Sequence, residues 1–401
     1  MVGCHQPHIH YQHVLLDREH DVPLLPVLTM RPFLITATIL LIVVLAVNGI
    51  AAWDQRALET RIRAAAIRFG PGQALLASRY VDERRLQKAR IESISRPQVV
   101  AFGSSRVRPI STDTLGLPRE GFYNTGMGEA TVEDYIALWW NLRVARKTPE
   151  VAIFSIDAWI FNESYDQLHW LSFSPDVNLF LEQARETRFA RWGIAQEALY
   201  RWYQAKEMLS YTVLKASLKE LERMQAGRKK RGIEVYQALT NDIVPESAVA
   251  GRSAIRADGS VIPPASARDQ SSAALKEKAV QYMSPAPRGL ANFRWDTRRG
   301  RRLELLWADM RSHGLRIVAF LPPYHPVVWE RMRQDRRYES ALEEANGFLT
   351  GLSSRLGVRF LDASDPASIP CQPEEFMDGD HPTEACLSRL LERLGVRTRS
   401  G

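Results

Sequence analysis

Apolar positions are distributed along the chain in three distinct patterns. The first is a single long uncharged run, Phe33 to Val47, continued by Asn48-Gly-Ile-Ala-Ala-Trp53. A helix of roughly 20 apolar residues matches the ~30 Å hydrocarbon core of a bilayer, and Trp53 stands where an interfacial aromatic would. Residues 30–54 therefore predict a transmembrane signal-anchor. A cleaved signal peptide, with Gly49-Ile50-Ala51 as its small-x-small site, and a buried core helix are the alternatives. Arginines flank both ends (Arg31 before; Arg56, Arg61 and Arg63 after), so charge does not select an orientation. A lone N-terminal anchor is read with its N-terminus inside and its body outside. Residues 1–29 hold five of the nine histidines and no amphipathic period. They read as a disordered segment, or one produced by an upstream start codon, with Met30 the natural start; a His-rich metal-binding tract is the alternative.

The second pattern is helical spacing. Ala57, Ile62, Ala65, Ala66 and Phe69 recur amid Arg and Glu, which predicts a helical stalk over residues 55–95, with a second helix around Gln73 to Ser93. The third is a series of short apolar runs alternating with helical stretches. Gln98–Phe102, Val151–Ile156, Leu315–Leu321 and Val358–Leu361 read as four buried strands, and helices are expected at 131–145, 302–312, 340–355 and 383–394. Strands alternating with helices predict an α/β domain over 96–401, a three-layer sandwich around a central parallel sheet. Between the second and third strands lies an insertion at about 175–295. Residues 175–232 look helical and charged; 241–287, rich in Ser, Ala and Pro, read as a flexible excursion.

Composition narrows the function classes. At 45% apolar and 25% charged residues the chain is ordinary for a globular protein, which excludes wholesale disorder. The net charge of +7 favours anionic partners. The basic runs Arg228–Arg231 and Arg298–Arg302 lack zinc-finger spacing and an aromatic RNA-binding signature, so they read as solvated faces and nucleic acid is a poor candidate. Cys4, Cys371 and Cys386 contain no C-x-x-C pair, which argues against a zinc or thioredoxin-like site. Outside the cytoplasm thiols tend to pair, so a Cys371–Cys386 bridge closing the loop before the last helix is one reading; two unrelated buried thiols is the alternative.

In an open α/β sheet, sites form beyond the carboxyl ends of strands. After the first strand comes Gly103-Ser104-Ser105-Arg106, where a serine on a Gly-supported turn can present its hydroxyl and its N–H. Alone, it is equally a turn or a cap. Before the final helix comes Asp378-Gly379-Asp380-His381-Pro382-Thr383, in which Asp378 can orient His381 and Thr383 can cap the helix. The structural alternative is a capping turn with a surface histidine.

Taken together these motifs resemble the SGNH, or GDSL-like, hydrolase superfamily. The likeness rests on Gly103-Ser104-Ser105, on Asp378-x-x-His381 and on Tyr123-Asn124-Thr125-Gly126-Met127-Gly128-Glu129, which is similar to the family's second block. It covers about 98–160 and 315–395. The resemblance implies an SGNH/flavodoxin-like fold and a Ser105–His381–Asp378 triad. Gly103, Asn124, Gly126, Gly128 and Arg106 are expected around the oxyanion or substrate, with the backbone N–H of Ser105 and the Gly126 to Gly128 region as oxyanion donors and Asn124 or Asp157 assisting. The third block, Gly-x-Asn-Asp, is absent; its strand ends in Ser155-Ile156-Asp157, and Asp157 is read as a substitute polar group or a helix cap. The anchor, the Gly-Ser-Ser-Arg motif and Leu321-Pro322-Pro323-Tyr324-His325-Pro326 look like the membrane-anchored SGNH-like proteins of alginate O-acetylation and teichoic acid D-alanylation. That likeness implies a surface glycan or polymer as substrate, a membrane-bound O-acyltransferase as partner, a periplasmic or extracellular catalytic domain and no cofactor or metal. His325 is a candidate substrate contact or a strand-end cap. Two functions follow: a serine O-acyltransferase or esterase, and a catalytically inactive accessory protein that binds the polymer or the acyltransferase.

Overall fold

The computed structural model describes residues 34–36, 38–47, 49, 70–76, 83–165, 167–186, 198, 202, 218, 243–284, 287 and 289–396. The N-terminal 1–29 segment, about half of the expected stalk and most of the charged helical stretch lie outside these residues. The described parts of the apolar run are helical, with its large aliphatic side chains largely exposed. Among the described residues no helix is long and apolar enough to cross a membrane.

The protein has a mixed α/β fold built on a five-stranded parallel sheet. Its strands are β2 (Val99–Phe102), β3 (Phe122–Asn124), β4 (Val151–Ser155), β8 (Arg316–Leu321) and β9 (Arg359–Asp362), in the order β3-β2-β4-β8-β9. Four of these are the strands expected from the apolar runs. The fifth, β3, is only three residues long, too short for its run to announce itself.

Alternate residues of each strand point to opposite faces, and both faces are covered. Val100, Phe102, Ala152, Phe154, Ile317 and Ala319 enter one core, with Phe102 stacked on Phe154 at 4.8 Å and Trp307 edge-on at 5.6 Å. This core is closed by helices α2 (Val132–Val144), α3 (Ser174–Gln183), α5 (Thr297–Ser312), α6 (Pro326–Gln334) and α7 (Arg336–Leu356). Val99, Ala101, Val151, Ile153, Val318 and Phe320 face the second core, under helix α8 (Glu384–Arg393). Double-sided burial explains why these strands read as continuous apolar runs.

Two expectations need correction. Helix α1 spans only Glu83–Ser93, because Gln73–Leu75 is a strand, β1, and not the start of a helix. Residues 243–284, read as a flexible excursion, are largely built: β5 (Ile243–Pro245), β6 (Ala254–Arg256) and β7 (Val261–Ile262) join β1 in a second, antiparallel sheet ordered β5-β1-β6-β7, and helix α4 (Ser272–Tyr282) follows. Sequence separation hid this pairing, since β1 is some 170 residues from its partners in the chain. The small sheet has its own apolar cluster of Ala74, Leu76, Val249, Ala254 and Ile262. It docks on the carboxyl ends of the main strands: Asn124 N–H donates to Asp258 O (2.7 Å), Val261 N–H to Arg108 O (3.0 Å) and Thr112 N–H to the Asp258 carboxylate (2.8 Å).

The basic run at 298–302 is not simply a solvated face. Arg299 and Arg302 both turn inward onto the buried carboxylate of Glu133, which their positive charges, working against its burial, hold at a pKa of about 2.

Candidate active site

The turn after β2 is shaped by close packing. A Cβ on Gly103 would stand 2.8 Å from the Val107 Cβ and 3.0 Å from that of Ser155, so only glycine lets the chain pass between β4 and the turn. The Ser104 hydroxyl then accepts the Arg106 N–H (3.3 Å) and caps a 3-10 turn, Ser105–Val107. Ser104, Arg106 and Val107 are buried in this turn; Ser105 is partly exposed.

At the other end of the domain, Phe376 and Pro382 bridge across a tight loop, and Met377 N–H donates to His381 O (2.8 Å). Inside it, one Asp378 carboxylate oxygen accepts the N–H groups of Asp380 (3.0 Å) and His381 (2.9 Å). The turn thus builds its own carboxylate holder. The disulfide Cys371–Cys386, with Cα atoms 5.2 Å apart, ties the chain before this turn to helix α8 after it. Thr383 occupies the N-cap position of α8, but its hydroxyl makes no capping bond; its N–H goes to Glu375 O (2.7 Å).

The structure brings the two motifs together. Ser105 Oγ lies 2.8 Å from His381 Nε2, and His381 Nδ1 lies 2.9 Å from both Asp378 oxygens. A carboxylate can only accept, so Nδ1 carries the hydrogen, and in the neutral ring Nε2 accepts the Ser105 hydroxyl. A second carboxylate, absent from the sequence-based reading, is also present: Asp380 Oδ1 is 3.0 Å from the same Nδ1. Burial disfavours the charged ring, but Asp380 and Asp378 outweigh it, and the His381 pKa is raised well above its ordinary 6.5. Burial likewise opposes ionised Asp378, yet the His381 ring and the two N–H donors hold its carboxyl far below the usual range. Asp378, Asp380 and His381 also offer ligand atoms within 4.8 Å of one another, as a metal site would require. The nitrogen they converge on is the one that fixes the ring.

The remaining predicted residues take other positions. Arg106 is buried and pairs with the fully buried Asp157 at 2.9 Å; it also donates to the Pro322 and Pro323 carbonyls and stacks on Tyr324, 4.4 Å from its centroid. Burial opposes its charge, but Asp157 keeps its pKa above the ordinary value. Asp157 occupies the N-cap position of the 3-10 turn Ala158–Phe161 but makes no side-chain capping bond; its carboxylate is buried on Arg106, and the pair is a strut joining the ends of β2, β4 and β8. Asn124 faces inward as well, its amide donating to Val107 O (2.9 Å) and Ile110 O (2.8 Å). Its side-chain oxygen takes the Gly126 N–H at 2.8 Å, and Gly128 N–H goes to Glu83 at 2.8 Å. The oxyanion donors expected at 124, 126 and 128 are thus all engaged within the protein. His325 is 2% exposed and accepts the Val327 N–H (3.2 Å) as the N-cap of α6; burial lowers its pKa. Of the two roles weighed for it, it takes the structural one.

Above Ser105 and His381 opens a cleft of ≈ 540 Å³. Asp378, Arg108, Pro263, Ala267, Lys278 and Tyr282 are among its walls, so the built part of the insertion forms its roof. A second hollow of ≈ 350 Å³ shares Pro109, Val261, Pro263, Ala267 and Met377 with it. Asp380, Arg108 and Tyr282 escaped the sequence reading. Asp380 and Arg108 carried a signal, one by adjacency to His381 and the other by standing three residues after Ser105. The chain matches no protein-family model and no curated protein.

Proposed function

We propose that the protein is a serine-dependent acyl-ester enzyme of SGNH-like architecture, acting as an O-acyltransferase or esterase on a cell-surface polysaccharide or related polymer. The observation that carries this reading is the chain of short contacts Ser105–His381–Asp378 at the mouth of a cleft, formed by segments 276 residues apart in sequence. Such a chain activates a hydroxyl for attack on an acyl carbonyl. Ser105 Oγ bonds to the carbonyl carbon as its proton passes to His381 Nε2. The tetrahedral species collapses, the C–O bond to the leaving group breaks, and the leaving alkoxide takes that proton. A sugar hydroxyl or water then repeats the sequence on the acyl-enzyme.

The apolar run before the domain supports a membrane anchor, and the Cys371–Cys386 bridge supports a compartment outside the cytoplasm, where disulfides persist. A membrane-bound O-acyltransferase is the partner that would supply acyl groups there. A second reading, an accessory protein that binds the polymer or that partner without catalysis, is favoured by the internal engagement of the Asn124, Gly126 and Gly128 donors.

A fluorophosphonate probe discriminates the two. The enzyme reading expects labelling of the folded protein that disappears in Ser105→Ala. Absence of labelling in the wild type favours the accessory role.

A further inference from the structure

An acyl-transfer site must neutralise the charge that develops on the carbonyl oxygen, and among the described residues only the Ser105 N–H, of the donors expected for it, has no internal acceptor. The Gly126 and Gly128 N–H groups and the Asn124 amide are all committed to internal acceptors. We propose that the guanidinium of Arg108 takes this role, as the electrophilic group that stabilises the oxyanion formed at Ser105. The inference rests on the acyl-ester reading of the site.

The placement follows from the turn. In a 3-10 helix the side chains at i and i+3 eclipse, and Arg108 closes the turn that Ser105 opens, its N–H donating to Ser105 O at 3.3 Å. From Gly103 to Ile110 only Ser105 and Arg108 are partly exposed; the rest are buried. Both line the same ≈ 540 Å³ cleft with His381.

The guanidinium is held on one side only. Its Nε donates to Gly126 O (3.4 Å) and its Nη2 to the Glu83 carboxylate, which also takes the Gly128 N–H. A Cβ on Gly128 would stand 3.6 Å from Nη2, so the fork lies over the loop whose own N–H groups are committed to Asn124, Gly103 and Glu83. Among the described residues Nη1 has no partner. A planar fork fixed by a carboxylate at one edge is oriented in advance, which is the condition under which a donor lowers a barrier instead of being reorganised by the reaction. As the Ser105 Oγ–carbon bond forms, the carbonyl π pair moves onto oxygen and accepts Nη1–H. When the leaving group departs, the pair returns and the contact weakens, with no proton lost by Arg108.

The test is the acylation burst with p-nitrophenyl acetate in wild type, Arg108→Ala and Arg108→Lys, with a circular dichroism spectrum of each. The expected result is an acylation rate constant about 10²–10³-fold lower in Arg108→Ala, with KM nearly unchanged. Arg108→Lys should recover part of the loss, as should guanidinium ion added to Arg108→Ala. An Arg108→Ala protein that acylates within a few-fold of wild type, or loses only KM, overturns the role of Arg108 while leaving Ser105 chemistry intact. A folded Arg108→Lys protein no faster than Arg108→Ala also counts against it. A wild type in which no acyl donor modifies Ser105 overturns the acyl-ester reading, and this inference with it.

Discussion

Replacing Asp380 by Asn tests the electrostatics of the base. His381 Nδ1 faces two carboxylates, Asp378 at 2.9 Å and Asp380 at 3.0 Å. A protonated ring cannot take the Ser105 proton, so a raised pKa places the rise of activity on the alkaline side of neutrality. For unit charges 3 Å apart, Coulomb's law gives about 1.4 kcal/mol in bulk water and about 5.5 kcal/mol at an effective dielectric of ~20. The His381 and Asp380 side chains are 29% and 16% exposed, so solvent screens the contact and the lower half of that range applies. With about 1.4 kcal/mol to a pH unit, Asp380→Asn should lower the inflection by roughly 1–2 pH units. The sign is fixed: removing a negative neighbour makes the charged ring easier to deprotonate. While pH stays below both inflections the neutral fraction, and with it the acylation rate, should rise by about 10- to 100-fold. The assay is the acylation burst with p-nitrophenyl acetate followed across neutral and alkaline pH. Asp378→Asn is the control: it removes the hydrogen-bonded orienter, so its plateau should fall on the order of 10³–10⁴-fold. An inflection that stays put in Asp380→Asn, or moves upward, would refute the reasoning.

Three other perturbations address the frame around the site. Asp157→Asn leaves the buried Arg106 guanidinium unpaired and should cost about 3–5 kcal/mol in a guanidinium chloride unfolding curve; a loss below about 1 kcal/mol would mean the strut does not hold the strand ends together. The Cys371–Cys386 bridge closes a loop of 15 residues, and Cys386→Ser should lose about 3 kcal/mol along with part of the activity, since the loop carries Asp378 and His381; an unchanged midpoint would contradict this. A Cβ on Gly379 would stand 2.5 Å from Tyr282 Cβ and 2.6 Å from its ring Cγ, so Gly379→Ala should shift the turn and reduce acylation far more than KM. Activity equal to wild type would show that the turn can move freely against α4.

The main sheet was legible because both its faces are buried: Val99–Phe102 is apolar at every position and Val151–Ser155 at all but the final Ser155. The second sheet was not, because its strands are two or three residues long and β1 pairs with β5 and β6 across great sequence distance; nothing local in Gln73–Leu75 marks it as a strand. The pair Ser105 and His381 was readable from where each falls relative to a strand or a terminal helix. Its surroundings were less so. Arg106 was expected near the substrate and Asp157 as a substitute polar group or a helix cap, and they are each other's partner in the core. The hydrogen bonds of Asn124 and Gly126 close on themselves, an arrangement decided by the side-chain rotamer of Asn124 and by packing against Val107, neither of which spacing can report. Asp380 was visible in the Asp-Gly-Asp-His run, but only the folded turn shows that it faces the same nitrogen as Asp378.

The central claim, that Ser105 is a nucleophile activated by His381, is tested most directly by trapping the intermediate. The protein is mixed with p-nitrophenyl acetate, quenched in acid during the burst, digested and analysed by mass spectrometry. The account predicts the mass of one acetyl group on the peptide at Ser105 in the wild type, and none there in Ser105→Ala or His381→Ala. Acetyl groups confined to surface lysines, or a Ser105 adduct that forms equally fast in His381→Ala, would contradict it.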